Sequence, residues 1–310
     1  MYSMYFTLTS VCNQNCTCCP YTENDEIFPE MRREDVENAV RKASEDLRKK
    51  GKESAIAVVL SGGEPALYTE LPMLIGNLQE MGAQVHLLSN GECFADAGFL
   101  GRMDESVDWS RLRVTTTLHS HEKEKHEAAN RKKGSFDRTL SGLHNMDLRG
   151  AQIIVKHCIT GTNYRDLCEF YRFVDLEFGK HVPLYLCGID YIGIPEERVK
   201  REKIGLPEIR PALERMFDMV EENENHRPVY ASHIPLCWAD PYYWKYLTLN
   251  HPEQTYNASG KYGDVHWNAA SDTGTEDDIC PGCIVRHLCM GTYFSAFKVL
   301  EKTAFRPYSS

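Results

Sequence analysis

The sequence predicts an α/β fold in which a parallel sheet is covered by helices and followed by a smaller C-terminal part. Two observations predict the sheet. Strand-like and helix-like segments alternate about six times, and glycine-containing polar segments follow several of the strands. A third observation predicts the second part: after Gly193 the alternation gives way to a charged helical stretch and a tail rich in tryptophan, tyrosine and cysteine. We therefore predict two domains, residues 1–195 and 196–310.

Each strand is predicted from a short apolar or β-branched run, and each helix from apolar residues spaced three or four apart. Ser135 is the expected N-cap of the helix that starts at Phe136. The predicted strands cover residues 5–10, 55–60, 84–88, 112–118, 152–159 and 182–187. The predicted helices cover residues 34–50, 71–81, a segment after 91, 136–146, 166–178 and a charged stretch over 195–224.

Composition narrows the class of protein. The chain has 310 residues, 12 cysteines and a formal net charge of −10. No basic and apolar export signal precedes the first strand, and no run reaches the roughly 20 apolar residues that a membrane span needs. We therefore predict a cytoplasmic protein without membrane contact, and the acidic total argues against a nucleic-acid partner. In such a protein the cysteines point to metal or redox chemistry and not to a disulfide framework.

Four of the cysteines lie in the segment VCNQNCTCCPY, directly after the first strand. Cys12, Cys16 and Cys19 have the spacing C-x3-C-x2-C, so one short loop carries three thiolates. Three thiolates can hold three irons of a [4Fe–4S] cluster and leave the fourth iron open to another ligand. Two alternatives stay open. Cys18 can replace Cys19, and a zinc knuckle can combine the C-x2-C of the loop with that of residues 280–283.

This spacing, after the first strand of a repeated βα chain, resembles the signature of the radical S-adenosylmethionine (radical SAM) enzymes. The resemblance implies a partial (β/α)6 TIM-type barrel, a SAM-binding [4Fe–4S] cluster on Cys12, Cys16 and Cys19, and SAM itself as cofactor. It also implies the chemistry: an electron from the cluster cleaves SAM to methionine and a 5′-deoxyadenosyl radical, which abstracts hydrogen from the substrate. A flavodoxin or ferredoxin is the reducing partner that we expect for such an enzyme.

The segment SGGEP, after the second strand, resembles the Gly-Gly-Glu segment with which this family holds the amino group of SAM. The matching residues are Gly62, Gly63 and Glu64. Glycines let a backbone approach a ligand closely, and a carboxylate suits an ammonium group. Ser89 and Asn90, at the end of the third strand, match family positions that contact the SAM ribose or carboxylate. The alternative for each segment is an ordinary turn at the end of a strand.

The tail carries a second group of cysteines. Cys237 is followed by CPGCIVRHLC, in which Cys280, Cys283 and Cys289 have the spacing C-x2-C-x5-C. Four thiolates can complete a [4Fe–4S] cluster, and the pattern resembles the auxiliary-cluster domain, of twitch or reduced SPASM type, of radical SAM maturases. The full pattern has one more cysteine where Tyr293 stands, so we expect one auxiliary cluster. Zinc is the alternative at this site.

A longer segment points to a subfamily. Residues 118–146, together with the cysteines of the tail, resemble radical SAM maturases that accompany His-Xaa-Ser-type peptides. That resemblance implies a ribosomally made peptide as substrate. Since only eleven residues precede Cys12, we expect the barrel, the tail or another protein to recognise a leader peptide. The alternatives are a radical SAM enzyme for a small molecule such as an aminosugar or cyclitol, and a non-enzymatic iron–sulfur or zinc protein.

Other residues are weaker candidates. Cys187 ends the sixth strand at the expected active-site edge. It is either a hydrogen donor to a substrate radical, as in radical SAM epimerases, or a buried structural cysteine. The histidines and glutamates of residues 119–127 either line the barrel mouth or form a solvated surface, which their charge favours. We expect the aromatic residues of 238–244 to pack around the tail cysteines. The cysteines expected in the core or at the surface are Cys93, Cys158 and Cys168.

Overall fold

A computed structural model of the chain describes residues 2–19, 29–49, 51, 56–249, 256–261, 264–268 and 273–309. At its centre, seven parallel strands pair in chain order to form one sheet. These strands are β1 (Tyr2–Thr7), β2 (Ile56–Ser61), β3 (Gln84–Ser89), β4 (Leu112–Thr117), β5 (Gln152–Cys158), β6 (Leu184–Cys187) and β7 (Val229–Ser232). The predicted α/β fold with a parallel sheet is confirmed.

Helices follow most of the strands, as repeated βα units require, and the last helix lies in the tail. They are α1 (Arg33–Lys49), α2 (Leu71–Glu80), α3 (Ala97–Ser106), α4 (Lys123–Asn130), α5 (Ser135–Leu148), α6 (Leu167–Glu177), α7 (Glu196–Glu202), α8 (Leu206–Glu222) and α9 (Phe294–Val299). Apolar strand residues such as Phe6, Leu60 and Leu186 are completely buried. In α1 the buried residues Val36 and Val40 recur at helical spacing, so this helix lays one apolar stripe on the core.

Burial alternates along the strands, so the two faces of the sheet differ. In β5, His157 is buried, and its ring centroid lies 4.0 Å from that of Phe170 in α6. Lys156 and Cys158, on either side of it, point to the opposite face and are only half-buried. We call this second face the inner face. At one level along the strands it carries Thr117, Lys156 and Tyr185, which are register neighbours.

The structure corrects the predicted elements in the second half of the chain. Strand β7 was not predicted, because its sequence VYAS lies beyond the charged stretch where the βα alternation was expected to end. The predicted helical stretch over 195–224 is two helices, α7 and α8. Gly205 is the N-cap of α8 and Pro207 lies in its first turn, so the chain bends there and starts a new helix.

One local prediction at α5 was also wrong, and the helix before it was missed. Gly134, and not Ser135, is the N-cap of α5; its φ of 77° is one that glycine adopts without strain. The Ser135 hydroxyl bonds the Asn130 side chain instead, at 3.1 Å. Helix α4 was not predicted, since its run of charged residues hides the short apolar stripe that a helix signal needs.

Beyond the predicted domain boundary the chain returns to the sheet. Strand β7 pairs with β6, and β8 (Tyr256–Lys261) pairs in parallel with β1 at the other edge. Strand β9 (Asp264–Asn268) is antiparallel to β8, while β10 (Thr273–Gly274) and β11 (Thr292–Tyr293) form a separate small pair. The division into residues 1–195 and 196–310 stays a prediction. None of the helices in the described ranges has the length and apolar character to cross a membrane.

Candidate functional site

The cysteine loop (residues 8–19) follows the carboxyl end of β1. Cys12, Cys16 and Cys19 line one cavity of about 390 Å³, together with Gly63 from the loop after β2. Within the described residues, no three His, Cys, Asp or Glu side chains converge closely enough to hold a single metal ion. In a [4Fe–4S] cluster each thiolate binds a different iron, so the thiols must surround a space and need not converge. These three residues fit such a cluster.

The loop after β2 holds the cysteine loop by backbone hydrogen bonds. The Gly63 amide donates to Thr9 O at 2.7 Å, and the Glu64 amide donates to Val11 O at 2.8 Å. Gly62 has a φ of 146°, a conformation that residues with a side chain rarely adopt. A Cβ on Gly63 would lie closer than 3.0 Å to the backbone of the cysteine loop. The two glycines are therefore needed for the approach of one loop to the other.

The C-terminal end of α4 supports the other side of the cysteine loop. The Asn15 amide donates to Asn130 O at 3.0 Å, and the Thr17 amide donates to Ala129 O at 2.8 Å. Carbonyls at a helix end have no partner within the helix, so they are free to accept these bonds. The Asn130 side chain is completely buried and contacts His126 Nε2 at 2.9 Å, which fixes the end of α4.

The prediction that residues 119–127 form a solvated surface was wrong for two of the three histidines. His119 and His126 are buried, and the His119 amide donates to His126 Nδ1 at 3.2 Å. Burial lowers the pKa of His119 to about 3 and that of His126 to about 4, so both rings are neutral at pH 7. Glu122 and Glu124 are exposed, as predicted. Residues 119–127 thus have an exposed side and a buried side, and their many charged residues concealed the buried side in the sequence.

Glu64 joins the SGGEP segment to the end of β3. Its carboxylate is buried and accepts hydrogen bonds from the Ser89 hydroxyl and the Asn90 amide, both at 2.7 Å, and from the Ala66 amide at 2.9 Å. Burial raises the pKa of Glu64 to about 7, while these donors act in the opposite direction. Asn90 also reaches the cysteine loop, since its side chain donates to Asn13 Oδ1 at 2.6 Å. The residues predicted to contact SAM thus lie together beside the cysteine loop.

Glu92 is a residue of this edge that the sequence analysis did not single out. Its side chain is buried and accepts hydrogen bonds from Arg138 Nε at 2.6 Å and from Gln14 Nε2 at 2.8 Å. Because Gln14 belongs to the cysteine loop, the Glu92–Arg138 ion pair anchors the loop to the segment after β3. The signal that could have found it is the segment SNGE, which puts an acid at the end of a strand.

Two thiols of the cysteine loop, Cys12 and Cys16, are difficult to ionise without a metal. Burial raises the pKa of Cys16 well above its usual range, and it also raises the pKa of Cys12. The thiolate is the form that binds iron. Cluster binding must therefore release protons from these thiols, and the positive charge of the metal offsets the cost of the buried thiolates.

Cys18 does not line the cavity of the other three thiols. It lines a second cavity, of about 180 Å³, together with His119 and Thr160. Its side chain hydrogen-bonds that of Cys158 on the inner face. This arrangement supports the choice of Cys19 over Cys18 as the third cluster ligand, and that choice stays a prediction.

Cys187 is buried on the inner face, at the end of β6. Its sulfur lies 3.5 Å from His233 Nδ1 and hydrogen-bonds Cys158, its register partner in β5. The bond to Cys158, together with burial, raises the pKa of Cys187 to about 12, so it is a thiol at pH 7. A thiol carries the hydrogen atom that the predicted donor role needs, and that role stays a prediction. Cys93 and Cys168 are half-buried against the core.

The four cysteines of the tail surround one small cavity of about 20 Å³: Cys237, Cys280, Cys283 and Cys289. The Leu236 and Gly291 amides donate to the Cys289 sulfur at 3.4 and 3.3 Å. Burial raises the pKa of Cys237 to about 12. The four thiols match the predicted ligand set, and the auxiliary cluster and the zinc alternative both stay predictions for it.

Two tryptophans pack beside the tail cavity. The Trp238 ring stacks on Phe305 with centroids 5.8 Å apart, and Trp244 meets Tyr308 edge-on at 5.5 Å. Phe305 and Tyr308 both line the cavity. The two tyrosines between these tryptophans differ from the prediction. Tyr242 is exposed, and the Tyr243 ring stacks on Phe217 of α8.

Comparison with known families and proteins gives two sequence matches. The family described as the radical SAM superfamily matches residues 6–176. Fe-coproporphyrin III synthase of Methanosarcina barkeri is 24% identical over 281 residues, which make up 90% of this chain and 65% of the synthase. The chain thus spans less than two thirds of that relative's length.

Solved structures with a similar fold include those of SuiB and anSMEcpe. SuiB of Streptococcus suis bound to S-adenosylmethionine has a TM-score of 0.63 at 13% identity, over 99% of this chain and 76% of SuiB. SuiB bound to the precursor peptide SuiA has a TM-score of 0.55 at 15% identity, over 73% of this chain and 48% of SuiB. Native anSMEcpe with bound AdoMet and the Cp18Cys peptide has a TM-score of 0.58 at 18% identity, over 73% of this chain and 62% of anSMEcpe. At these identities the similarity concerns the fold alone.

Proposed function

The chain belongs to the radical SAM superfamily, and from that premise we propose that it is a maturase that abstracts hydrogen from a side chain of a peptide. The observation that carries the proposal is the cavity at the carboxyl edge of the sheet, lined by three cysteines and Gly63. The two loops that form this cavity are joined by backbone hydrogen bonds. The proposed ligands of the cluster and of SAM are therefore held in fixed positions relative to each other.

Cys12, Cys16 and Cys19 are the residues proposed to hold the catalytic cluster. When bound there, the cluster supplies the electron that cleaves SAM to methionine and a 5′-deoxyadenosyl radical. The chain itself binds, orients and shields the reactants. Since Gly63 lines the same cavity as the three thiols, a molecule bound beside the cluster would contact the SGGEP backbone.

The SGGEP segment and the end of β3 are proposed to bind SAM. The Glu64 carboxylate already accepts hydrogen bonds from Ser89 and Asn90. We therefore propose that Glu64 attracts the SAM ammonium group by its charge, and that backbone carbonyls beside Gly62 and Gly63 accept the hydrogen bonds. Asn90 is held between this segment and the cysteine loop, which suits the proposed contact with the SAM ribose or carboxylate.

A peptide is the proposed substrate and partner. SuiB has been solved with its precursor peptide and anSMEcpe with a peptide ligand, and residues 118–146 resemble maturases of His-Xaa-Ser-type peptides. The tail is proposed to hold the auxiliary [4Fe–4S] cluster, which helps to bind the substrate or accepts an electron from it. A flavodoxin or ferredoxin is proposed to deliver the electron for SAM cleavage.

A small-molecule substrate is the second candidate. The observation that favours it is the similarity to Fe-coproporphyrin III synthase, which extends over 90% of this chain. A barrel that accepts a planar tetrapyrrole and one that accepts a peptide need different inner faces, although they share the same radical-generating edge.

The test is to incubate the reconstituted and reduced protein with SAM and candidate peptides, and to measure both 5′-deoxyadenosine and peptide masses. We expect 5′-deoxyadenosine, and a mass change in a peptide that requires SAM. The Cys16→Ala variant is the matched control and should lose both. A change in an added iron tetrapyrrole, with every peptide mass unchanged, would favour the second candidate. No 5′-deoxyadenosine under any condition would contradict the radical SAM activity itself.

A further inference from the structure

Lys156 lies on the inner face of the sheet, in β5. Its register partners are Thr117 in β4 and Tyr185 in β6, so residues with hydroxyl groups flank it on both sides. The next inner-face pair toward the carboxyl edge is Cys158 and Cys187. Lys156 is therefore a cation among neutral side chains that can form hydrogen bonds.

The described strands β1–β7 offer no carboxylate to balance the charge of Lys156. Among the residues described for β1–β7, none is Asp or Glu. The strongest influences on its pKa from the described part of the chain are the thiols of Cys187 and Cys158 and the phenols of Tyr293 and Tyr185. Charge interactions with the ionised forms of these groups raise the pKa of the Lys156 ammonium well above its usual range, while burial acts in the opposite direction. A half-buried ammonium group without a carboxylate on the neighbouring strands is only partly compensated, and a bound anion would recover part of the cost of its burial.

Lys156 is also close to the radical-generating edge. Cys158 lies two residues further along the same face, about 6–7 Å away along the strand. Cys158 is near enough to Cys16 to influence the pKa of that thiol. The Tyr293 hydroxyl, from the tail, approaches the same place and lies 4.0 Å from the Cys187 sulfur. A group held by Lys156 would therefore sit beside the cavity of the cysteine loop, between the barrel and the tail.

We infer that Lys156 binds a carboxylate of the substrate on the inner face, in a polar site completed by the hydroxyl groups of Thr117 and Tyr185. This inference deepens the proposed function and rests on it, because it takes the inner face as the place where substrate binds. The carboxylate belongs either to an Asp or Glu side chain of a peptide or to an acidic small molecule. An ion pair of this kind fixes one end of the substrate and so selects the carbon that faces the radical.

The test measures binding and does not need turnover. One pool of fluorescently labelled peptides carries a single Glu at each position in turn, and the matched pool carries Gln at the same positions. Coproporphyrin III is the small-molecule probe, because it has carboxylates without a peptide. The proteins compared are the wild type, Lys156→Met, Lys156→Arg and Arg113→Met. Arg113 is the matched control, since it is the other Lys or Arg among the described residues of β1–β7 and its side chain is exposed.

The wild type should bind the Glu pool about tenfold or more tightly than the Gln pool, which is the size of the effect of a charged hydrogen bond. Lys156→Met should remove this preference, Lys156→Arg should retain part of it, and Arg113→Met should retain all of it. Dependence on Lys156 that is seen only with coproporphyrin III would support the carboxylate site and contradict the peptide part of the proposed function.

Two results would overturn the inference. The first is the absence of any preference that depends on Lys156. The wild type would then bind both peptide pools with equal affinity, and Lys156→Met would not change the affinity for coproporphyrin III. That result would leave formation of 5′-deoxyadenosine, and so the proposed radical chemistry, unaffected. The second is a loss of SAM affinity in Lys156→Met by the same factor as the loss of peptide affinity. SAM also carries a carboxylate, and Lys156 would then belong to the SAM site.

Discussion

The two groups of cysteines differ in the space that they surround. The cysteine loop presents three thiols to a cavity of about 390 Å³, which it shares with the SGGEP backbone. The four thiols of the tail surround about 20 Å³, lined by proline and aromatic residues as well. In metal sites generally, closed sets of protein ligands serve structure or electron transfer, while catalytic sites keep a position open. The difference supports the proposal that the chemistry takes place at the loop and that the tail has a supporting role.

The two sites also differ in what holds them. The cysteine loop receives backbone hydrogen bonds from the loop after β2 and from the end of α4. The tail site is held by packed rings, Trp238 on Phe305 and Trp244 against Tyr308, and by two amides that donate to Cys289. Backbone hydrogen bonds from two neighbouring elements fix the positions of the loop thiols. Changes in the loop should therefore affect SAM cleavage, and changes in the tail should affect the true substrate.

The largest expected effect is on SAM cleavage in the Cys16→Ala variant. Removing one of three ligands should abolish the catalytic cluster, so formation of 5′-deoxyadenosine from SAM and dithionite should fall by about a thousandfold or more. The Cys280→Ala/Cys283→Ala variant should still form 5′-deoxyadenosine without substrate, yet lose turnover of the true substrate. The product is measured by liquid chromatography after anaerobic reconstitution.

Cys18→Ala is the matched control for this experiment. Cys18 lies two residues from Cys16 but lines a different cavity, so this variant should keep its activity. If Cys18→Ala were inactive and Cys19→Ala active, the choice of the third ligand would be wrong. Unchanged product in Cys16→Ala would contradict the whole assignment of the loop.

The second prediction is a change in iron content. If both sites hold [4Fe–4S] clusters, the reconstituted chain should contain about eight irons, and the Cys280→Ala/Cys283→Ala variant about four. The loop cluster should survive because its ligands lie on a separate element. Iron and zinc are measured together by elemental analysis. About four irons and one zinc in the unmutated protein, with the zinc lost in the double variant, would show that the tail is a zinc site.

The regular part of the fold could be predicted from the sequence, because each buried strand and helix repeats its own pattern. The first six predicted strands are therefore all present, whereas β7 was missed because it follows the charged helices, where the alternation was expected to have ended. The same holds at the site. The cysteine spacing and SGGEP are local in sequence, and the structure places Cys12 and Gly63 on one cavity.

The remaining parts of the site depend on contacts between distant residues. The segment SNGE marks Glu92 as an acid at the end of a strand, but its partners Gln14 and Arg138 lie far from it in sequence, so no local pattern shows what it binds. In the sequence, Lys156 is a single charged residue within a predicted strand. Only the register of the sheet shows which side chains are its neighbours. The role of α4 was missed for the same reason, since the backbone bonds that it makes to the cysteine loop leave no trace in its side chains.

The third prediction compares one glycine from each region. A Cβ on Gly63 would clash with the backbone of the cysteine loop, whereas a Cβ on Gly282, in the tail, meets no atom within 4 Å. Gly63→Ala should therefore lower the free energy of unfolding by about 1–3 kcal/mol and prevent the loop from holding its cluster. Gly282→Ala should cost about 1 kcal/mol, because its φ of 71° is unfavourable for alanine. Denaturant unfolding and iron content are the measurements.

Gly63→Ala and Gly282→Ala should differ more clearly in iron content than in the free energy of unfolding. Gly63→Ala is expected to keep only the tail cluster, and Gly282→Ala to keep both. Full iron content and normal 5′-deoxyadenosine formation in Gly63→Ala would mean that the close approach of the two loops is not needed for the site.

The fourth prediction is a loss of stability in acid, which concerns the support of the cysteine loop and not the tail. His126 accepts a hydrogen bond from the His119 amide and contacts Asn130, whose carbonyl accepts the Asn15 amide. Burial lowers the pKa of His126 from 6.5 to about 4. A lowered pKa means that the folded state binds the proton less readily than the unfolded state. The contribution of His126 is therefore present above pH 6.5 and is lost as the pH falls through about 4.

The free energy of unfolding should consequently fall by about 1–3 kcal/mol between pH 6.5 and pH 4 through this residue. Denaturant unfolding at a series of pH values measures the slope. In His126→Gln, which cannot be protonated in this range, the slope should be smaller, whatever the stability of the variant at pH 7. His181→Gln is the control, since His181 lies exposed at the surface far from the cysteine loop in sequence, and it should keep the wild-type slope. Equal slopes in all three proteins would show that acid does not act on the end of α4 that supports the loop.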